Sequence, residues 1–102
     1  MSDKFKIVFS PGALIDVKES RNWYNLQQKG LGKRFVGDIQ ETIELIKKNP
    51  FFASIKYATI RTTACKTFPF SIHYEIDEIN KIVRILSVFH FSRKPFWLND
   101  SE

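Results

Sequence analysis

The stretch Thr67–Asp77 restricts the fold more than any other. Phe68, Phe70, Ile72, Tyr74 and Ile76 alternate with Pro69, Ser71, His73, Glu75 and Asp77. A period of two puts the first set on one face of a strand and the second on the other. Such a strand needs an apolar layer against one side and neighbours along its edges. Pro69 has no N–H to donate to a ladder, so an edge or a bulge is expected there. Glu78-Ile79-Asn80 supplies a turn.

The neighbours are also visible. Lys81–Phe91 carries apolar residues at both parities: Ile82, Leu86 and Val88 on one side, Val83, Ile85 and Phe89 on the other. A strand apolar on both faces is expected at the centre of a sheet. Lys56–Thr62, rich in Tyr, Ile and Thr, predicts another strand, and Phe5–Phe9 a fourth.

Between them the period changes. Ser10 is a good N-cap and Pro11 suits the first helical position, because its missing N–H would be unbonded there. A helix is expected from Pro11 to about Gln28, with Ala13, Val17, Ser20 and Tyr24 as its inner stripe. Asp16 and Glu19 sit early, where the helix dipole favours negative charge. Gly30 and Gly32 break the helix. A second helix follows from about Lys33 to Lys48, with Phe35, Ile39, Ile43 and Ile46 as its stripe. Lys47 and Lys48 suit its negative end, and Asn49-Pro50 stops it. The order β-α-α-β-β-β predicts an α+β fold: a small, largely antiparallel sheet packed against an αα-hairpin. Residues 1–102 read as a single domain.

Hydrophobic residues are 43% of the chain, enough for one packed core without disulfide support. Cys65 is the single cysteine, which excludes an intrachain disulfide and suits a reducing cytoplasm. Met-Ser-Asp-Lys leads straight into Phe5–Phe9 without an apolar signal segment, so a cytoplasmic location is expected. No stretch is long enough for a membrane span. The net charge of +5 favours an anionic partner.

Metal chemistry is disfavoured, since His73, His90 and Cys65 lack ligand spacing. No phosphate loop follows Gly30 and Gly32, and no nucleophile motif is present, so no cofactor is expected. What remains is a basic and aromatic set: Arg61, Lys66, His73, Tyr74, Arg84, His90, Arg93 and Lys94. Together on one sheet face they would suit a phosphate backbone. RNA cleavage without metal needs a base for the 2′-OH, an acid for the leaving oxygen and cations for the phosphorane. His and Tyr could exchange protons there, and Arg or Lys could clamp. Each also has a plainer role. Tyr74 shares its register with Phe70 and Ile72 and suits the core. His73 points to the other face, towards solvent. Arg84 suits a carboxylate partner. Arg61 and the His90–Arg93 pair lie near strand ends, where binding residues collect.

Phe68-Pro-Phe-Ser-Ile-His-Tyr74 followed by Val88-Phe-His-Phe-Ser-Arg-Lys-Pro95 resembles two strand motifs of ParE-like toxins. The Ala13…Asp16-Val17…Trp23-Tyr24 and Phe35…Ile39…Ile43 helices are similar too, and the resemblance to the RelE/ParE superfamily covers roughly residues 5 to 97. It implies a toxin that a cognate antitoxin wraps and neutralises. In the ParE branch the implied activity is inhibition of DNA gyrase without bond chemistry. In the RelE branch it is ribosome-dependent cleavage of mRNA, for which Arg61, His90 and Arg93 would be the catalytic candidates. RelE-type members usually carry a tyrosine near the C-terminus. This chain has none after Tyr74, which favours the gyrase reading. A third reading is a basic binding domain without toxicity. Lys66, His73, Arg84 and Lys94 join Arg61, His90 and Arg93 as candidates for target or antitoxin binding. The oligomeric state is not legible.

Overall fold

The computed structural model describes residues 4–91. In chain order these form β1 (Lys6–Phe9), α1 (Pro11–Gln27), α2 (Leu31–Lys48), a 3₁₀ turn (Pro50–Phe52), β2 (Ile55–Tyr57), β3 (Ile60–Ala64), β4 (Phe70–Asp77) and β5 (Ile82–His90). The strands make one sheet in the order β1-β5-β4-β3-β2. The β1–β5 pairing is parallel and the other three are antiparallel. The α1–α2 hairpin covers one face. Strand β5 takes the interior position expected from its two-sided apolar pattern.

Two expectations are corrected. Lys56–Thr62 is not one strand. The chain reverses at Ala58-Thr59, so that Tyr57 pairs with Ile60. Ala58 takes φ 52°, a left-handed conformation usually left to Gly or Asn. No turn residue announced the reversal. The sheet therefore has five strands among the described residues instead of four.

The second correction concerns β5. His73 lies opposite Ser87 and Tyr74 opposite Ile85, so Leu86 is an extra residue in the ladder. A bulge of this kind switches the side-chain parity. Val83, Ile85 and Val88 are all buried, and Val88 shares its face with Ile72 rather than with Ile82. Helix α1 bonds to the strand at the bulge. The Ser10 hydroxyl caps the helix by accepting the Ala13 N–H (3.1 Å) and donates to the Leu86 carbonyl (3.1 Å). The Asp16 carboxylate accepts the Val88 N–H (2.9 Å). Asp16 is thus a tie to the sheet, not the first-turn dipole partner expected; α1 has no acid in its first turn.

Aromatic rings fill the space between hairpin and sheet. Phe35 of α2 packs against Phe70 (centroids 4.8 Å) and Tyr24 (5.4 Å), and Tyr24 meets Phe68 edge-on (5.0 Å). The helices approach closely at Gly32, whose N–H bonds the Asn25 side chain. A Cβ at Gly32 would lie 2.5 Å from the Arg21 carbonyl oxygen, so only glycine fits.

A buried carboxylate joins the hairpin to β4. Asp38 of α2 is 5% exposed. It accepts the Thr67 N–H (3.1 and 3.2 Å to its two oxygens) and the Phe68 N–H (2.7 Å). These donors lie just before β4, beyond the sheet ladder, and Phe68 is buried. Removing the acceptor strands the buried Phe68 N–H and the part-buried Thr67 N–H. Asp38→Ala should lower stability by roughly 2–3 kcal/mol, as read by urea unfolding. A loss below about 0.5 kcal/mol would show that water replaces the carboxylate.

Candidate functional site

Strand β4 distributes the chemically interesting side chains between two faces. Phe70, Ile72 and Tyr74 turn towards the helices and are fully or nearly fully buried. Tyr74 donates its hydroxyl to the carbonyl of buried Pro50 (2.6 Å), and burial raises its pKa. It is a core residue that fastens the 3₁₀ turn, as its register implied. Arg61 pairs across from Tyr74 on β3 and donates to the Phe51 and Ala53 carbonyls from the same side. Its guanidinium also lies over the Phe51 ring (5.3 Å).

His90 sits at the far end of this side, opposite Phe70 and edge-on to its ring (5.3 Å). Phe70 and Tyr74 are four residues apart, which is about 13 Å along a strand. Arg61 and His90 therefore do not meet on one phosphate. Arg93, the third member of that set, and Lys94 lie outside the described residues.

The opposite face carries His73, Ser87, Phe89, Arg84 and Glu75. His73 was expected to face solvent, but it is only 4% exposed. Its ring packs on Phe89 (4.5 Å). Desolvation, then the nearby positive charge of Lys56, lowers its pKa to about 4, so the imidazole is neutral at physiological pH. The Ser87 hydroxyl opposite it is buried and has no hydrogen-bond partner among the described residues. Arg84 stands 3.7 Å from Glu75, the carboxylate pairing its register suggested. Both side chains are over a third exposed, so the pair adds little stability.

Lys66 is exposed in the loop between β3 and β4. Its neighbour Cys65 is buried, and desolvation pushes the thiol to about 11, outside the range of a reactive thiolate. Among the described residues no group of three His, Cys, Asp or Glu side chains is arranged to hold a metal ion. No helix among them is long and apolar enough to cross a membrane.

The predicted residues are thus spread over two faces and a loop. A concave feature lies elsewhere. A groove of about 800 Å³ runs between α1 and α2, floored by Val17, Val36 and Ile43, with Leu14 at its mouth. Lys18 and Arg21 line it from α1, Glu41 and Glu44 from α2. Sequence reasoning treated these helices only as core-facing stripes. The available signal was apolar residues off the stripe, Leu14 and Val36, beside Gly37. Glycine is disfavoured inside a helix, and nothing lies within 4 Å of where a Gly37 Cβ would be.

Residues 7–95 match the family model described as ParE toxin of type II toxin-antitoxin system, parDE. No curated protein sequence matches. Among solved structures, the chromosomal ParDE system of P. aeruginosa superposes with a TM-score of 0.75 at 17% identity, covering 87% of this chain and 98% of that one. The intact E. coli RelBE toxin-antitoxin complex gives a TM-score of 0.67 at 12% identity, with 87% and 99% covered. The RelBE2 toxin-antitoxin complex from Mycobacterium tuberculosis gives 0.64 at 17%, with 85% and 98% covered. At these identities the structural likeness establishes the fold: two helices on a mostly antiparallel five-stranded sheet.

His73 makes stability depend on pH. Its folded pKa of about 4 lies below the ordinary 6.5, so the unfolded chain takes up the proton first as pH falls. The contribution is whole above about pH 6.5 and is lost as pH drops towards 4. Between pH 7 and about pH 4.5, the native chain should lose roughly 2–3 kcal/mol more than His73→Gln. Equal losses in urea titrations at the two pH values would mean that His73 does not titrate in this window.

Proposed function

This chain belongs to the ParE toxin family of type II toxin-antitoxin systems, and from that membership we propose that it arrests growth by binding DNA gyrase rather than by cutting RNA. One observation carries the choice. Three of the described candidates for proton exchange or phosphate clamping are taken up within the fold, and Arg61 and His90 stand too far apart to meet on one phosphate. Tyr74 spends its hydroxyl on Pro50, and Arg61 spends its guanidinium on two backbone carbonyls. His73 is buried and neutral. Cleavage through the 2′-OH needs a base, an acid and cations converging on one open phosphate. An inhibitor acting by binding alone needs only a surface.

The α1–α2 groove suits the cognate antitoxin. Its apolar floor accepts the apolar face of an amphipathic helix, and its oppositely charged rims set that helix's direction. The net charge of +5 favours an acidic antitoxin segment, and the site of action is the cytoplasm, where gyrase works.

Purified toxin should abolish supercoiling by gyrase, and a peptide covering the antitoxin's toxin-binding segment should restore it. Tyr74→Phe should inhibit within about twofold of the native chain, whereas loss of a general acid or base costs about a hundredfold or more. Cleavage of ribosome-bound message with intact supercoiling would replace the gyrase reading with the ribonuclease one, and Arg61, His90 and Arg93 would become the residues to change. Absence of growth arrest on expression would leave a basic binding domain.

A further inference from the structure

Between Glu44 and Glu75 the chain has no acidic residue. The same stretch holds Lys47, Lys48, Lys56, Arg61 and Lys66, as many cations as the whole net charge of +5. Lys47, Lys48 and Lys56 belong to the end where α2 runs through the 3₁₀ turn into β2, and Arg61 lies opposite Ile55 on the neighbouring strand. Large apolar side chains lie open at that same end. Phe51 is 44% exposed, Phe52 48%, Ile55 54% and Tyr57 50%. Several large apolar side chains left open along one short run of chain mark an interaction site.

The platform is rigid. Asn49 accepts the Phe51 N–H through its side chain (3.3 Å) and the Phe52 N–H through its carbonyl (3.1 Å). Tyr74 holds Pro50 from the core, and Arg61 holds the Phe51 and Ala53 carbonyls. Phe51 also meets buried Phe5 edge-on (6.2 Å). The backbone that carries Phe51 and Phe52, and the Phe51 ring, are therefore held in place before any partner arrives, which lowers the ordering cost of binding.

We infer that this end, with Phe51, Phe52 and Tyr57 as stacking rings and Lys48 and Lys56 as phosphate contacts, binds single-stranded nucleic acid. Half-open rings beside cations are the means by which such strands are held without reading their sequence. An acidic peptide would share the charge preference but would add as a strand to β2. That edge is poor for pairing. It is three residues long, its register shifts between Ile55 and Tyr57, Lys56 stands at its middle, and Ala58 turns the chain away. The platform lies apart from the α1–α2 groove and stands whether or not gyrase is the target.

The test is fluorescence anisotropy of the purified chain, without gyrase or ribosome, on labelled oligonucleotides of about 12 thymidines or about 12 uridines. Both should bind, with a log–log salt slope of about −1.4, since each of the two single-strand phosphate contacts contributes about −0.7. Phe52→Ala and Tyr57→Ala remove open side chains, and each should weaken binding at least about fivefold at an unchanged melting temperature. Lys56→Glu should flatten the slope by about 0.7, whereas Lys33→Glu, on α2 away from this end, should leave it unchanged. Tighter binding of the thymidine strand would mark DNA as the source, and of the uridine strand RNA. The inference falls if neither oligonucleotide binds, or if the ring variants bind as well as the native chain. It falls also if a polyglutamate peptide displaces the oligonucleotides at lower concentration, which would assign the surface to a protein partner.

Discussion

The Asp38 carboxylate holds together parts of the chain that are distant in sequence. It sits on the buried face of α2 and accepts N–H groups from Thr67 and Phe68, about thirty residues later. A strand entering a sheet leaves backbone donors before its first ladder bond, and burying them without an acceptor is costly. The carboxylate removes that cost and fixes where β4 begins relative to the hairpin. Once Phe68 is placed, Phe70, Ile72 and Tyr74 follow at period two, and each meets the helices. The aromatic packing among Tyr24, Phe35, Phe68 and Phe70 depends on this register, because a slip of one residue would turn Phe68 and Phe70 away from the helices.

The bulge at Leu86 shows the same economy between helix and sheet. A bulge interrupts the ladder, and side chains of α1 bond to the strand where it occurs. Ser10 takes the Leu86 carbonyl while capping its own helix, and Asp16 takes the Val88 N–H. The switch in parity then brings Val88 into the core and leaves Ser87 and Phe89 with His73 on the other face. Neutral His73 is a consequence of this packing: burial disfavours the imidazolium, and Lys56 adds to the effect.

These constraints bear on how a small toxin is available to its partners. The residues best suited to acid–base chemistry lie inside the structural framework, while the groove between α1 and α2 and the aromatic end at β2 lie outside it. The family was legible in two strand motifs, the first of which carries the buried Phe68, Phe70, Ile72 and Tyr74. The candidate site was less so. Arg61 looked like a free cation at a strand end, yet its guanidinium is spent on the carbonyls of a turn ten and eight residues earlier. Tyr74 was legible as core because its register depends only on periodicity. His73 was misplaced because alternation tells which side a residue faces, not what covers that side.

The sequence by itself determined the αα-hairpin over a mostly antiparallel sheet and the order of the elements, except that one expected strand is two. Those features rest on local physics: periodicity, Ser10-Pro11 as a helix start, Gly30 between the helices, and Asn49-Pro50 as a stop. Only the tertiary structure decided the hairpin at Ala58, the Leu86 bulge and the parallel placement of β1 beside β5. The physical reason is common to all three. A left-handed alanine, an extra residue in a strand and the choice of a strand's neighbour each depend on hydrogen bonds and burial supplied by distant residues. No local pattern records those terms.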